Sequence, residues 1–140
     1  MSRIFWDTNL FIYLIEGTGD RADAVVRVRE RMLARNDTLY TSTLTLGEVL
    51  VKPTEENALE LAAEYERLLT AGATLVSFDV KAARAFAAIR RDRSIRPPDA
   101  IQLACAAGAK VDLFITNDDR LSGKVVPGVQ FVTSLDKAFL

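Results

Sequence analysis

The sequence of 140 residues contains no histidine and a single cysteine, Cys105. The lack of imidazole excludes Ser-His-Asp and Cys-His hydrolysis, RNA cleavage by a histidine acid–base pair, and zinc sites built on histidine. One cysteine excludes an intramolecular disulfide and is consistent with a reducing compartment. Because Cys105 lies in the apolar helical pattern IQLACAAGA, we predict a core thiol. Any hydrolytic chemistry must therefore use carboxylates, whose preferred partners are hard cations such as Mg²⁺ or Mn²⁺.

Long apolar runs are also missing, since the longest, LFIYLI, covers only residues 10–15. A bilayer-crossing helix needs about 18. Arg3 and the hydrophobic residues after it faintly resemble a signal peptide, but Asp7, Thr8 and Asn9 interrupt the stretch. We therefore expect a cytoplasmic protein with no membrane association. The net charge of −1 provides no global field for nucleic acid, so a polyanion would need a local basic patch or a metal.

The apolar content of 49% is enough for a hydrophobic core, and we expect a single domain over residues 1–140. Hydrophobic periodicity predicts helices alternating with short, nearly continuously apolar strands. This order indicates an α/β protein, a three-layer α/β/α sandwich with a small, mostly parallel sheet of about five strands. The predicted strands are 3–7, 38–42, 74–78, 111–116 and 129–133. The predicted helices are 9–17, 20–35, 43–52, a segment from Pro53 to Gly72, one from about Val80, and 99–108.

Four acids stand near the predicted carboxyl ends of strands, where open α/β sheets bind ligands. Asp7 follows the first strand, and Asp118 follows the strand that ends at Thr116. Glu48 is placed in the first turn of the helix after the second strand, and Asp99 opens the helix after two prolines. Four carboxylates at one sheet edge would raise each other's pKa unless a cation held them. The pattern favours a metal-dependent enzyme acting on a phosphodiester or a phosphate.

Each acid also has a structural explanation. Asp7 or Thr8 suits a helix N-cap, and Thr45-Leu46-Gly47-Glu48 matches a capping box. Pro-Pro-Asp is typical of a helix start, and Asn117, Asp118 and Asp119 are ordinary turn residues. Local sequence leaves both explanations open for every acid.

Four blocks follow one another along the chain, IFWDTNLFIYLIEG, TSTLTLGEVL, IRPPDAIQLACA and LFITNDDRL. In their order and spacing they resemble the PIN-domain nucleases, and within them the VapC-type toxins of bacterial and archaeal toxin–antitoxin pairs. The resemblance implies that the four acids bind Mg²⁺ or Mn²⁺ and cut RNA, that Thr8 and Asn9 support the site, and that Thr116 lines it. It also implies a homodimer inhibited by a cognate antitoxin that blocks the acidic pocket. The acids are Asp7, Glu48, Asp99 and Asp118.

Resemblance and carboxylate chemistry together predict how these acids divide their roles. Asp7 and Asp99 would be the main ligands of a cation that activates water and binds the scissile phosphate. Glu48 and Asp118 would hold metal-bound waters or a second ion about 4 Å away. A shift of one residue would exchange Asp118 for Asp119, and we expect any helix capping to fall to Thr8 rather than Asp7.

A basic stretch just before Asp99 is the candidate RNA contact, because guanidinium groups suit phosphates and stacked bases. A solvated helix end explains the same charges equally well. The aromatic residues at 5, 6, 11 and 13 are expected in the core rather than on RNA. The stretch carries Arg90, Arg91, Arg93 and Arg96.

Two other functions remain to be compared. A phosphatase or phosphoacceptor of the receiver or haloacid-dehalogenase type also places acids at strand ends, but Asn9 stands where a second acid is needed and Lys110 precedes a strand. A PIN-like scaffold that binds partners without cleaving anything is the non-enzymatic alternative, and the intact set of acids argues against it.

Overall fold

The computed structural model describes residues 1–138 and 140. Within them the strands and helices alternate as the hydrophobic pattern predicts. The strands are β1 Arg3–Trp6, β2 Thr38–Ser42, β3 Thr74–Val76, β4 Leu113–Thr116 and β5 Phe131–Ser134. The helices are α1 Thr8–Glu16, α2 Asp20–Arg35, α3 Thr43–Glu55, α4 Leu59–Gly72, α5 Val80–Ile89, α6 Pro97–Gly108 and the 3₁₀ turn Leu135–Lys137.

The five strands form one parallel sheet in the order β3-β2-β1-β4-β5. The first strand lies in the centre, where Ile4 is level with Leu39 on one side and Leu113 on the other. Parallel strands need covered faces, and the sheet has a layer of helices on each side. The predicted three-layer α/β/α architecture is therefore confirmed.

Alternate residues of the central strands serve the two faces of the sheet. On one face Phe5 stacks on Phe114, with ring centroids 5.1 Å apart, and both contribute to the core formed with α5 and α6. On the other, Ile4, Trp6 and Ile115 belong to the core formed with α1 to α4. The buried face of α2 consists of Ala22, Val25, Val28 and Met32.

Pro53 does not begin a new helix, so that prediction was wrong. It lies inside α3, which runs from Thr43 to Glu55. Proline in the middle of a helix costs about 3 kcal/mol, but this one is close to the helix end and its ring is buried. The chain then turns at Asn57, whose φ is 54°, while the amide of Ala58 donates to the carbonyl of Pro53 at 2.8 Å.

Four strands are shorter or shifted relative to the prediction, and the first of them ends at Trp6 rather than at residue 7. The edge strand β3 ends at Val76, because its partner β2 ends at Ser42 and these two residues are in register. Residues 77 and 78 therefore have no neighbouring strand, although Phe78 is apolar. The fourth strand begins at Leu113 rather than 111, and the fifth covers 131–134 rather than 129–133. No helix within residues 1–138 is both long and apolar enough to traverse a bilayer.

Candidate functional site: a carboxylate cavity

A cavity of about 310 Å³ opens at the carboxyl edge of the sheet. The end of β1 leads directly into α1, the end of β2 into α3, and the end of β4 into a turn. Parallel strands point their carboxyl ends the same way, so these three connections and the start of α6 meet there. All four predicted acids line this cavity, which we call the carboxylate cavity. Its walls are Asp7, Thr8, Asn9, Ile12, Tyr13, Glu48, Pro98, Asp99, Gln102 and Asp118.

Asp7 is the most enclosed of the four, with 8% of its surface exposed. One carboxylate oxygen, Oδ1, accepts from the amide of Thr8 at 2.9 Å, and Oδ2 accepts from the hydroxyl of Thr116 at 2.8 Å. Asp7 is thus the N-cap of α1. The prediction that capping falls to Thr8 was wrong, because Thr8 is already the first helical residue.

Burial raises the pKa of Asp7 from 3.8 to about 6. The hydrogen bonds from Thr116 and Thr8 oppose this rise, while the negative charges of Asp99 and Glu48 add to it. A carboxylate held away from water beside other acids is poorly stabilised as an anion. A cation in the cavity would relieve that cost.

Glu48 lies in the second turn of α3, not in the first turn as predicted. The cap of this helix is Ser42, whose hydroxyl oxygen accepts from the amide of Thr45 at 3.3 Å. Glu48 instead accepts from the hydroxyl of Thr8 at 2.8 Å. The capping-box explanation of Glu48 was therefore wrong, and its side chain lies on the cavity wall.

Asp99 enters the cavity from the first turn of α6, which starts at Pro97 after the N-cap residue Arg96. Burial raises the pKa of its carboxyl group, as do the charges of Asp118 and Glu48, while Arg120 and Arg96 lower it. Two prolines at the helix start fix the direction of this turn, since their φ angles suit the first helical positions. The prolines thereby position Asp99.

The turn after β4 separates two adjacent acids. Asp118 lines the cavity, whereas Asp119 is exposed and contributes nothing to its wall. The amide of Asp118 donates to the hydroxyl oxygen of Thr116 at 3.0 Å, and this same hydroxyl donates to Asp7. Thr116 therefore connects the first and fourth acids. Of the two acids, the geometry favours Asp118.

The sequence did not predict a role for Gln102, because it is one polar residue in an apolar helix. It is 2% exposed and holds the floor of the cavity together. Its amide nitrogen donates to the hydroxyls of Thr8 and Thr45 at 2.9 and 2.8 Å, and its carbonyl accepts from Ser42. A buried amide must find partners, so Gln102 fixes α6 against α1 and α3.

Asn9 and Tyr13 form a second hydrogen-bonded wall. The side-chain oxygen of Asn9 accepts from the amide of Asn117 at 3.4 Å, and Asn117 donates to the Tyr13 hydroxyl at 2.8 Å. Tyr13 is only half-buried, unlike the core aromatics Phe5, Trp6 and Phe11. The core expectation therefore holds for the other three aromatics, and in part for Tyr13, which packs against the core while it lines the cavity.

None of the four predicted RNA-contacting arginines lines the carboxylate cavity. The guanidinium group of Arg90 donates to the carbonyl of Ile95 at 2.5 Å, which secures the loop before α6. Arg91, Arg93 and Arg96 are exposed, and the charge of Arg96 acts on Asp99 and Asp118. Cys105 is buried, and burial raises the pKa of its thiol to about 11, as expected for a core residue.

The donor chemistry of the cavity fits a hard cation, because oxygen ligands are what Mg²⁺ and Mn²⁺ prefer. Within residues 1–138 and 140, no three acids are arranged as a finished ligand set. Two of the acids are engaged by other groups. Glu48 is held by Thr8, and Asp118 is held by Arg120 through bonds of 3.0 and 2.7 Å.

A second cavity, of about 370 Å³, lies between the sheet and helices α1 to α4. We call it the apolar cavity. Most of its lining is apolar, and Leu68 is 58% exposed at its edge. Two buried donors lining it, Trp6 Nε1 and Arg29 Nη1, have no acceptor among the described residues. Its walls are Trp6, Phe11, Leu14, Ile15, Arg29, Leu39, Val49, Tyr65, Leu68, Leu69, Gly72 and Ala73.

The fold and the site together define a class of protein. It is a parallel α/β/α protein in which four acids surround one cavity at the strand ends. The PIN domain family matches residues 4–125, and the chain belongs to it. No curated protein sequence matches the chain.

Solved structures with the same fold come from bacterial complexes. One is VapBC2 from Rickettsia felis bound to a DNA fragment from their promoter. A chain of that structure is 17% identical in sequence and matches with a TM-score of 0.74, and the match covers 94% of this chain and 98% of that one. For DNA-bound VapBC from Salmonella typhimurium the sequence identity is 19% and the TM-score 0.71, and the match covers 96% of this chain and 99% of that one. For a toxin–antitoxin complex from Klebsiella pneumoniae the identity is 22% and the TM-score 0.66, with 90% of this chain and 94% of that one covered. At such identities these similarities establish the fold alone.

Proposed function

We propose that this PIN-domain protein is an endoribonuclease dependent on Mg²⁺ or Mn²⁺, and the toxin of a toxin–antitoxin pair. One observation carries the proposal, namely that four acids from four separate segments of a PIN-family chain line one cavity. We infer that residues 1–140 act as a single domain of this kind.

Asp7 and Asp99 would be the principal cation ligands, because they are the two acids whose pKa is raised by burial and by neighbouring carboxylates. Glu48 and Asp118 would complete the set or hold water. Such a cation, when bound, supplies Lewis acidity and a water of lowered pKa. The chain itself supplies orientation, since Thr116 holds Asp7, Thr8 holds Glu48, and Asn9 secures the adjacent turn.

RNA would approach along the side of α6, where the basic stretch precedes Asp99. With a net charge of −1, local positive charge is needed to bind a polyanion. Arg91, Arg93 and Arg96 are exposed and free to meet phosphates, whereas the bond from Arg90 to Ile95 suggests a structural role.

The partner would be a cognate antitoxin, since the structures with this fold include toxin–antitoxin complexes. The apolar cavity suits a protein segment with apolar side chains. The free donors of Trp6 and Arg29 call for an acceptor on that segment, and a carboxylate would satisfy Arg29. The resemblance to VapC-type toxins also supports a homodimer.

Asp7→Asn tests the nuclease directly. We expect Mg²⁺- or Mn²⁺-dependent cleavage of a mixed RNA pool by the wild type, no cleavage in EDTA, and at least a hundredfold loss in the variant. The change keeps the size of the side chain and its ability to cap α1, so the variant should fold. The matched control is Asp23→Asn, an exposed acid in the first turn of α2, which should cleave normally.

Full activity of Asp7→Asn would overturn the assignment. A wild type that cleaves nothing with either cation would favour a non-catalytic scaffold. A phosphoacceptor is not supported by the fold, because Lys110 precedes β4 and so lies at the amino edge of the sheet.

A further inference from the structure

Arg120, in the turn after β4, holds both oxygens of one cavity acid. Its Nε donates to Oδ1 of Asp118 at 3.0 Å and its Nη2 to Oδ2 at 2.7 Å. Its backbone amide adds a third bond, to Oδ1 at 3.0 Å. These bonds lower the pKa of Asp118. A carboxylate with both oxygens facing a guanidinium group presents little free negative charge to the cavity.

The pair lies at the rim of the carboxylate cavity rather than in its floor. The side chain of Arg120 is 55% exposed, against 20% for Asp118. The charge of Arg120 also acts on Asp99. Arg120 therefore partly neutralises two acids of a site that carries four.

A purely structural role for the pair is weak. Solvent screens an ion pair whose guanidinium group is exposed, so its contribution to folding is small, and the turn keeps other bonds without it. The amide of Leu121 donates to the carbonyl of Asp118 at 3.0 Å, and the amide of Asp118 donates to Thr116. Because the guanidinium group is exposed and its pair is weak, it can change partners at little cost to the fold.

The guanidinium fork that fits a carboxylate also fits two oxygens of a phosphate. A divalent cation and a guanidinium group repel each other when both approach Asp118. Arrival of a cation would favour release of Arg120, and a phosphodiester at the rim would then offer it an equivalent anionic partner.

We propose that Arg120 is a partner-exchanging residue. It competes with the divalent cation for Asp118 in the free protein and binds a phosphate of the nucleic acid in the complex. The inference rests on the proposed function, and it assigns Arg120 to substrate binding and positioning rather than to proton transfer.

The test compares Arg120→Gln and Arg120→Lys with a control, Arg27→Gln, which changes an exposed arginine on α2 outside the cavity. Thermal melts verify folding. Mn²⁺ binding to the RNA-free protein, followed by electron paramagnetic resonance, should become about fivefold tighter in Arg120→Gln. It should change little in Arg120→Lys and in the control.

The second measurement is the steady-state cleavage of an RNA oligonucleotide at saturating Mn²⁺. We expect Arg120→Gln to raise KM about tenfold with kcat changed less than threefold, and Arg120→Lys to recover part of the loss. Unchanged or weaker Mn²⁺ affinity in Arg120→Gln would overturn the competition with the cation. An unchanged KM would overturn the contact with phosphate. A wild type that binds no Mn²⁺ would instead overturn the proposed function, so the two failures are distinguishable.

Discussion

The carboxylate cavity and the apolar cavity are similar in volume, at about 310 and 370 Å³, but opposite in what they lack. The first has acceptors in excess, because four acids share a few hydroxyl donors and one guanidinium group. The second has donors in excess, because Trp6 Nε1 and Arg29 Nη1 have no acceptor among the described residues. Buried polar groups usually have a hydrogen-bond partner, so an unsatisfied one indicates what a ligand would have to supply. We therefore propose a cation for one cavity and an apolar segment that carries an acceptor for the other.

The two cavities also differ in the function that we expect of them, which is RNA cleavage in the carboxylate cavity and partner binding in the apolar cavity. Changes in the carboxylate cavity should affect cleavage, whereas changes in the apolar cavity should affect partner affinity and leave cleavage unchanged. Three variants test this difference, and loss of cleavage in an apolar-cavity variant would show that the two cavities are coupled.

Adjacent acids give the sharpest test of the carboxylate cavity. Asp118→Asn should reduce RNA cleavage by about a hundredfold or more, because it removes an anionic oxygen from the cavity wall. Asp119→Asn should stay within twofold, since Asp119 is exposed and outside the wall. Initial rates at saturating Mg²⁺ measure both. The opposite ranking would assign the fourth acid to Asp119.

Asp7→Asn should stabilise the metal-free protein while it inactivates the enzyme. The folded pKa of Asp7, about 6, lies above the ordinary aspartate value of 3.8. The ionised carboxylate therefore destabilises the fold as pH rises from about 4 to 6, by up to about 3 kcal/mol above pH 6. Urea unfolding in EDTA should show the variant as more stable at pH 7.5 and equal at pH 3.5. If the variant and the wild type were equally stable at both pH values, ionisation of the buried Asp7 carboxyl group would not destabilise the fold.

Leu68→Gln should weaken binding of the antitoxin about tenfold, because Leu68 lines the apolar cavity and a leucine side chain contributes roughly 1.5–3 kcal/mol when buried. Leu61→Gln is the matched control, since it changes another exposed leucine of α4 that lies outside that cavity. Calorimetry measures affinity, and RNA cleavage should be unchanged in both variants. Equal affinities would place the partner elsewhere.

The sheet was predictable because its strands are short apolar segments separated by helices, a pattern that a parallel sheet imposes. The family was predictable from four blocks spread along the chain. The boundaries of the helices were harder to predict. Pro53 indicated a break that the structure does not have, because burial of its ring near the end of α3 makes it tolerable.

Within the candidate site, the acids were predictable and their surroundings were not. Strand ends placed Asp7 and Asp118 at one edge, since parallel strands end on the same side. Gln102 gave no signal, because its partners Ser42 and Thr45 are 60 and 57 positions away. Arg120 gave none either, as an arginine in a polar turn is ordinary.

The sequence by itself determined the layered fold, the absence of imidazole chemistry and the identity of the acids, because periodicity and composition are local properties of the chain. Tertiary structure decided the surroundings of two of these acids. Only the approach of distant segments placed Asp7 against Thr116 and Glu48 against Thr8, whereas Asp7 caps α1 and Asp118 pairs with Arg120 through contacts between residues close in the chain. Hydrogen bonds and burial depend on which groups come within about 3 Å, and sequence spacing does not determine that for residues far apart in the chain.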